Sequence, residues 1–297
     1  MIEVKNVTKR FDGFAALCDL TMTVPDGAVY GLVGPNGSGK STILRHITGV
    51  YRQDEGEVLV DGQPVFENPA VKARIAYIPD DVFYFPQSGV RDMMLYYKGI
   101  YPAFDVDRYE KLKEVFQLDE KQPIRRMSKG MQKQAAFWLA MCQMADILVL
   151  DEPVDGLDPV MRRQIWGLLM ADAAERGLTV LVSSHNLREL EDVCDHVGIL
   201  DHGHLLLERS LSELQENICK VQLALPDERP LPAGLQLVHE TVSGRLRTLI
   251  LRGDPEETLK RLQDCEPLFL DAVPLSLEEI FIYELGGADY AVKDILL

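Results

Sequence analysis

Near the start of the chain, hydrophobic and polar positions alternate in two stretches. "IEVKNVTKRF" (residues 2–11) and "LTMTVPDG" (residues 20–27) change character at every second residue and end at turn formers. That is the period of a strand with one wet face, so the chain is predicted to open with antiparallel strands. "AVYGLV" (residues 28–33) is apolar throughout, the pattern of a strand covered on both faces. In "STILRHITGV", Ile43, Leu44 and Ile47 recur at helical spacing, and "GEVLVDGQPV" and "ARIAYIP" read as further strands.

From about residue 86 the pattern turns helical. "GVRDMMLYYKGIY" and "DVDRYEKLKEVFQL" are followed by a helix predicted over about 129–144, which together make an inserted helical subdomain of about 86–145. "DILVL", "LTVLVSS" and "HVGIL" return to buried strands. Between the first two lies "DPVMRRQIWGLLMADAAERG", with Asp158 as N-cap, Pro159 in the first turn and Gly177 as stop. Strand, helix, strand at this spacing implies right-handed crossovers in a mostly parallel sheet, an α/β fold. "AAFWLAMCQMADILVL" (residues 135–150) is almost wholly apolar, but it falls short of the roughly 20 residues a spanning helix needs. Asp146 interrupts it, so it reads as a buried helix running into a buried strand.

After residue 210 the character shifts again. "LPDERPLPAG" is a Pro-rich connection, and "LQLVHETVSGRLRTLIL" reads as a hairpin about Ser243-Gly244. "DPEETLKRLQDC" is a helix with Asp254 as cap and Glu257 completing a capping box, and Ser276 with Glu279 forms a second box. The expected organisation is a core of residues 1–210 and a small α+β appendage of residues 211–297.

Composition narrows the partners. Of 297 residues, 47 are acidic and 31 are Lys or Arg, a net charge of −16. A duplex binder needs a basic face to neutralise phosphates, so no nucleic-acid partner is expected. The five cysteines are scattered without a C-x-x-C, which argues against a disulfide framework or zinc site and fits a reducing cytosol. "MIEVKNVTKRFDGF" has no apolar signal core, so a cytoplasmic chain is expected.

The chemistry is concentrated in "GPNGSGKST": Gly34, Pro35, Asn36, Gly37, Ser38, Gly39, Lys40, Ser41 and Thr42. Gly34 to Ser41 fits G-x-x-x-x-G-K-[ST], and it lies between a buried strand and a helix, the context a phosphate-binding loop requires. Backbone N–H groups must converge there on polyphosphate oxygens, and a Cβ at Gly37 or Gly39 is expected to obstruct them. The following helix points its positive end at the anion. Lys40 would reach the β- and γ-phosphates, Ser41 would offer its hydroxyl to Mg²⁺, and Thr42 would bond the α-phosphate. "ILVLDEP" is a buried strand ending in two acids, at the end of the sheet where α/β folds bind ligands. Asp151 is expected to hold Mg²⁺ through its water shell, and Glu152 to orient or deprotonate the attacking water. His185, at the end of the strand in "VSSHN", is placed to link the γ-phosphate, the water and Glu152. In "MSKGMQKQ", Ser128 is an N-cap, and with Gly130 it also makes an anion site that this chain's own loop does not need but a second copy would.

Together these residues resemble the ATP-binding subunit of an ABC transporter. "GPNGSGKST" matches the Walker A pattern, "ILVLDEP" the Walker B strand, "SKGMQ" the signature motif, "GLD" (residues 156–158) the D-loop and "SSHN" the switch histidine. Order and spacing agree across residues 1–210, and the wording looks most like a bacterial branch related to exporter-type ATPases. The resemblance implies a P-loop cassette, ATP and Mg²⁺ as cofactors, and a head-to-tail dimer. In that dimer Ser128, Gly130 and Asp158 of one subunit would face the other's ATP. It implies that Phe11 stacks on adenine and that a transmembrane permease subunit is the partner, with this chain at the inner face of the membrane. All ATP-handling residues are intact, so a homodimer is feasible and a heterodimer with a sister ATPase stays open.

Two departures stand out. Met127, Lys129 and Met131 replace three of the five signature residues Leu-Ser-Gly-Gly-Gln. Where the family usually has a glutamine reaching Mg²⁺, this chain has Asp80, with Asp81 beside it. A carboxylate is also a good Mg²⁺ ligand, so Asp80 is expected at the metal. The aromatic-rich "DDVFYFPQSGVRDMMLYY" is either the docking surface for the permease or the core of the helical subdomain. Rival readings are a soluble ABC-type ATPase, a P-loop kinase or GTPase, and a binding module whose appendage acts as a dimer-stabilising or regulatory piece.

Overall fold

The computed structural model describes residues 1–216, 218–226, 231–232 and 234–285. The chain divides into two compact units: Met1–Asn186 with Val193–Glu208, and Leu187–Asp192 with the residues from Arg209 on.

In the first unit, β1 (Ile2–Phe11) and β2 (Phe14–Val24) run antiparallel, with Ile2 opposite Val24 and Phe11 opposite Phe14. β3 (Val29–Val33) is the fully buried apolar run, and α1 (Lys40–Ile47) follows the glycine loop. β4 (Glu55–Val60), β5 (Gln63–Pro64), α2 (Pro69–Lys72) and β6 (Ile75–Ile78) come next. The helical insertion holds α3 (Val90–Ile100), α4 (Val106–Phe116) and α5 (Lys129–Cys142). β7 (Ile147–Asp151), α6 (Pro159–Arg176), β8 (Thr179–Ser184), β9 (His196–Asp201) and β10 (His204–Ser210, of which residues up to Glu208 fall in this unit) complete it.

The strands form two sheets. An antiparallel one has the order β2-β1-β4-β5, and a second has the order β10-β9-β3-β8-β7-β6 with β9, β3, β8, β7 and β6 parallel. One apolar cluster joins them. Ile2, Leu17 and Met22 from the first sheet pack with Tyr30, Leu32 and Leu181 from the second, and with Ile43, Leu44 and Ile47 of α1. Each fully buried aliphatic side chain contributes about 1.5–3 kcal/mol, so α1 is anchored well beyond what an eight-residue helix achieves alone. Register then places the chemistry. Val33 lies beside Ser184 and Asp151 beside Ser183, so the parallel strands β3, β8 and β7 end at one level.

The helical insertion has its own packing. Trp138 of α5 stacks on Tyr109 of α4 at 4.6 Å, and its indole N–H donates to the Tyr109 carbonyl at 2.9 Å. Arg108 of α4 makes two hydrogen bonds, 2.7 and 2.8 Å, to the buried carboxylate of Asp172 on α6. Arg176 joins the same carboxylate at 3.2 Å and donates to the Ala145 carbonyl.

The second unit contains α7 (Leu211–Glu216), β11 (Ile218–Ala224), β12 (Gln236–Ser243), β13 (Leu246–Arg252), α8 (Pro255–Gln263), β14 (Phe269–Val273) and α9 (Leu277–Leu285). Its antiparallel sheet has the order β12-β13-β11-β14, over a core of Val221, Leu223, Leu249, Leu251 and Leu262. The β12–β13 hairpin is present, with its turn at Gly244-Arg245, one residue beyond the predicted Ser243-Gly244, because Ser243 still pairs with Leu246. Asp254 caps α8, but Glu257 does not close the box: its carboxylate takes Arg261 one turn on. The Ser276–Glu279 box is complete. The Pro-rich connection lies partly outside the described residues. Leu187–Asp192 belongs to this unit because Arg188 pairs with Glu278 through two N–H groups, while Glu191 accepts the Leu277 amide.

Candidate nucleotide site

The glycine loop is shaped mainly by its own protein neighbours. A Cβ on Gly34 would lie 2.1 Å from the Leu200 carbonyl oxygen. Gly39, at φ 110°, is left-handed and caps α1, and a Cβ there would lie 2.7 Å from the Ala16 oxygen. At Gly39 a protein carbonyl already excludes a side chain, while Gly37 has no protein atom within 4 Å of a Cβ and its φ of +83° favours glycine in its own right. The Ser38 N–H closes a turn on Pro35, and its buried hydroxyl oxygen has no partner. Asn36 and Gly37 face solvent, and Thr42 lends its carbonyl to His46 Nδ1 at 2.7 Å.

Lys40 is buried. Its ammonium donates to the Gly34 and Pro35 carbonyls at 2.6 and 3.2 Å and sits 3.5 Å from Glu152 Oε1. Ser41 Oγ donates to Asp151 Oδ1 at 3.0 Å, and Ser183 Oγ reaches the same oxygen at 2.8 Å. Asp151 Oδ2 is buried without a partner. A hydroxyl beside a buried carboxylate with one unanswered oxygen is a donor set that fits a hydrated hard cation such as Mg²⁺.

Glu152 follows at φ 46°, a left-handed conformation unusual for a non-glycine residue. Its N–H donates to Ser183 Oγ at 3.1 Å, and its Oε2 lies 2.9 Å from His185 Nδ1. The loop, Asp151, Glu152 and His185 therefore meet in one place, as expected from the sequence. Asp155 joins them, with ligand atoms of Glu152, Asp155 and His185 all within 4.8 Å of one another. Nothing in the sequence singled it out except its place between Glu152 and Asp158.

The other expected site residues lie elsewhere. Ser128 caps α5, accepting the Met131 amide at 3.3 Å, and is exposed. Gly130 packs against the Gly156 carbonyl, 2.6 Å from where a Cβ would be. Asp158 caps α6 through the Val160 and Met161 amides, both at 3.0 Å. Phe11 is exposed at the end of β1, edge-on to Tyr51 at 5.5 Å, with Lys9 over its ring. Asp80 does not meet Ser41 or Asp151; its carboxylate accepts Lys133 Nζ at 3.2 Å. Lys133 was missed, although its spacing to the buried residues Ala136, Phe137 and Ala140 puts it on the inner face of α5.

The aromatic stretch divides. Tyr84, Val90, Met93 and Met94 are buried, while Phe83, Phe85, Leu95, Tyr96 and Ile100 are exposed, with Arg125 over the Phe83 ring.

The family model described as ABC transporter matches residues 17–155. The chain is 32% identical, over 97% of its own length and 99% of the other's, to the ABC transporter ATP-binding protein YtrB of Bacillus subtilis. This chain is an ABC transporter ATP-binding subunit. The ABC subunit is also 30% identical to the Nod factor export ATP-binding protein I of Sinorhizobium fredii, over 96% of this chain and 86% of that one. Among solved structures, an ATP-binding subunit of an ABC transporter superposes with a TM-score of 0.67 at 26% identity, over 72% of this chain and 92% of the other. The α/β cassette with its helical insertion is thus the fold of an ABC-type ATPase. Among the described residues no helix is long and apolar enough to cross a membrane.

Proposed function

We propose that this ABC subunit hydrolyses ATP with Glu152 as the base that activates water. The observation that carries the reading is the convergence on Glu152. One carboxylate oxygen lies 3.5 Å from the loop lysine Lys40, and the other lies 2.9 Å from His185. The contact with His185 Nδ1 fixes the orientation of the carboxylate, which a general base needs in order to meet the attacking water. The backbone amides around Gly37 to Ser41 and the ammonium of Lys40 bind the phosphates. Ser41 and Asp151 would hold Mg²⁺, which when bound neutralises charge on the β- and γ-phosphates. Phe11 offers an exposed ring to the adenine.

Ser128, Gly130 and Asp158 act in trans. Ser128 and Asp158 cap the N-termini of α5 and α6, and Gly130 lies in the first turn of α5, so these helix tips offer amides to an anion, which supports a head-to-tail dimer in which each completes the partner's ATP site. ATP binding closes this dimer and hydrolysis reopens it. The exposed Phe83, Phe85, Leu95, Tyr96 and Ile100 form the surface on which the cytoplasmic helices of a permease subunit dock, placing the chain peripherally at the inner membrane face. Glu152→Gln tests the core of this reading. Turnover should fall at least about 10²-fold, the scale of a lost general base, with MgATP still bound. Unimpaired hydrolysis overturns it.

A further inference from the structure

Lys133 lies on the buried face of α5, 5% exposed, and its ammonium has two partners. It donates to the backbone carbonyl of Glu152 at 2.5 Å and to Asp80 Oδ1 at 3.2 Å. The backbone is therefore held on both sides of the Glu152 Cα, the N–H by Ser183 Oγ and the carbonyl by Lys133. The grip matters because Glu152 sits at φ 46°, where a non-glycine residue is strained by roughly 1–2 kcal/mol. Without a donor on its carbonyl, the peptide is free to leave that conformation, and its carboxylate leaves His185 and Lys40 with it.

We propose that Lys133 is a positioning residue for the Glu152 base, and that Asp80 is its counter-ion rather than a magnesium ligand. The inference rests on the reading of Glu152 as the base. A structural role alone accounts poorly for the lysine. Burying an ammonium is costly, and an apolar side chain of similar length would fill the same space with the loss of only the hydrogen bond to the Glu152 carbonyl. Removing it strands no charge, since Asp80 is 56% exposed and solvent can take over its oxygen. What the lysine adds is a link. Ser128, at the tip of α5, lies only about one and a half turns, roughly 7 Å, from Lys133 along the helix. The tip that faces a partner's ATP and the base that acts on this chain's own ATP are thereby fixed to one rigid element.

The test is steady-state ATPase kinetics of the full-length protein with Lys133→Met, Lys133→Arg, Asp80→Asn and Glu152→Gln. Lys133→Met should lose no more than a few degrees of melting temperature, the scale of one hydrogen bond, and keep its KM for MgATP while kcat falls about tenfold or more, the scale of a misplaced catalytic group. Lys133→Arg, which keeps the donor, should recover part of that loss. In the Glu152→Gln background, Lys133→Met should cause no further loss. Asp80→Asn should lower kcat with the half-saturating Mg²⁺ concentration unchanged. An unaltered kcat in Lys133→Met beside an inactive Glu152→Gln overturns the proposal alone. A several-fold rise in the Mg²⁺ requirement of Asp80→Asn overturns its second half. Wild-type turnover in Glu152→Gln overturns the base assignment, whatever Lys133 does.

Discussion

His46, on the α1 face that packs into the core, is 1% exposed. Its Nδ1 meets the Thr42 carbonyl at 2.7 Å, and burial holds its pKa below the ordinary imidazole value. The sign of the consequence follows. The unfolded chain takes up this proton near pH 6.5, while the folded chain resists it until a lower pH. Stability is therefore complete above about pH 6.5 and is lost as pH falls below it, at up to about 1.4 kcal/mol per pH unit for one proton. Urea denaturation between pH 7.5 and 5 should show this slope, and His46→Gln should flatten it. An identical slope in both proteins would show that His46 is not the group responsible.

At the scale of elements, the helical insertion is tied down by a carboxylate no local pattern announces. Asp172 on α6 accepts two hydrogen bonds from Arg108 on α4 and one from Arg176 one turn along. Removing it strands the Arg108 guanidinium, which is 20% exposed, so Asp172→Ala should cost about 3 kcal/mol or more, read by chemical denaturation. Surface substitutions on the same helices should stay within about 0.5 kcal/mol. The helices themselves were legible. Asp158, Pro159 and Gly177 bound α6, and Ser128 caps α5, because caps and periodicity are local properties. Arg108 and Asp172 stand 64 positions apart, and their pairing is written only in the folded packing. For the same reason Leu187–Asp192 gave no sign that it belongs with α9. Glu257 was misread because the box geometry competed with an arginine one turn away, and the ion pair won.

At the scale of the whole molecule, the cassette was readable because its motifs sit at ends of strands that parallel pairing brings level. The loop lysine, the two acids and the histidine then had to meet. Asp155 carries no motif and was not readable, while the helical spacing of Lys133 gives its face of α5 but not its partners, Asp80 and the Glu152 carbonyl. The assembly has its own measurable outcome. Glu152→Gln protein with saturating MgATP should sediment as a dimer and return to monomer when nucleotide is removed. Adding Ser128→Ala should weaken that dimer, with about 1 kcal/mol of the loss in monomer stability from the missing cap. Monomers at every concentration tried would rule out the shared site.

The position of Lys40 has one more consequence. Its ammonium donates to two loop carbonyls and lies 3.5 Å from an oxygen of Glu152, so one cation serves both the cradle and the acid beside it. On the reading of Glu152 as the base, nucleotide affinity and carboxylate placement share a single support, and Lys40→Met should impair both together.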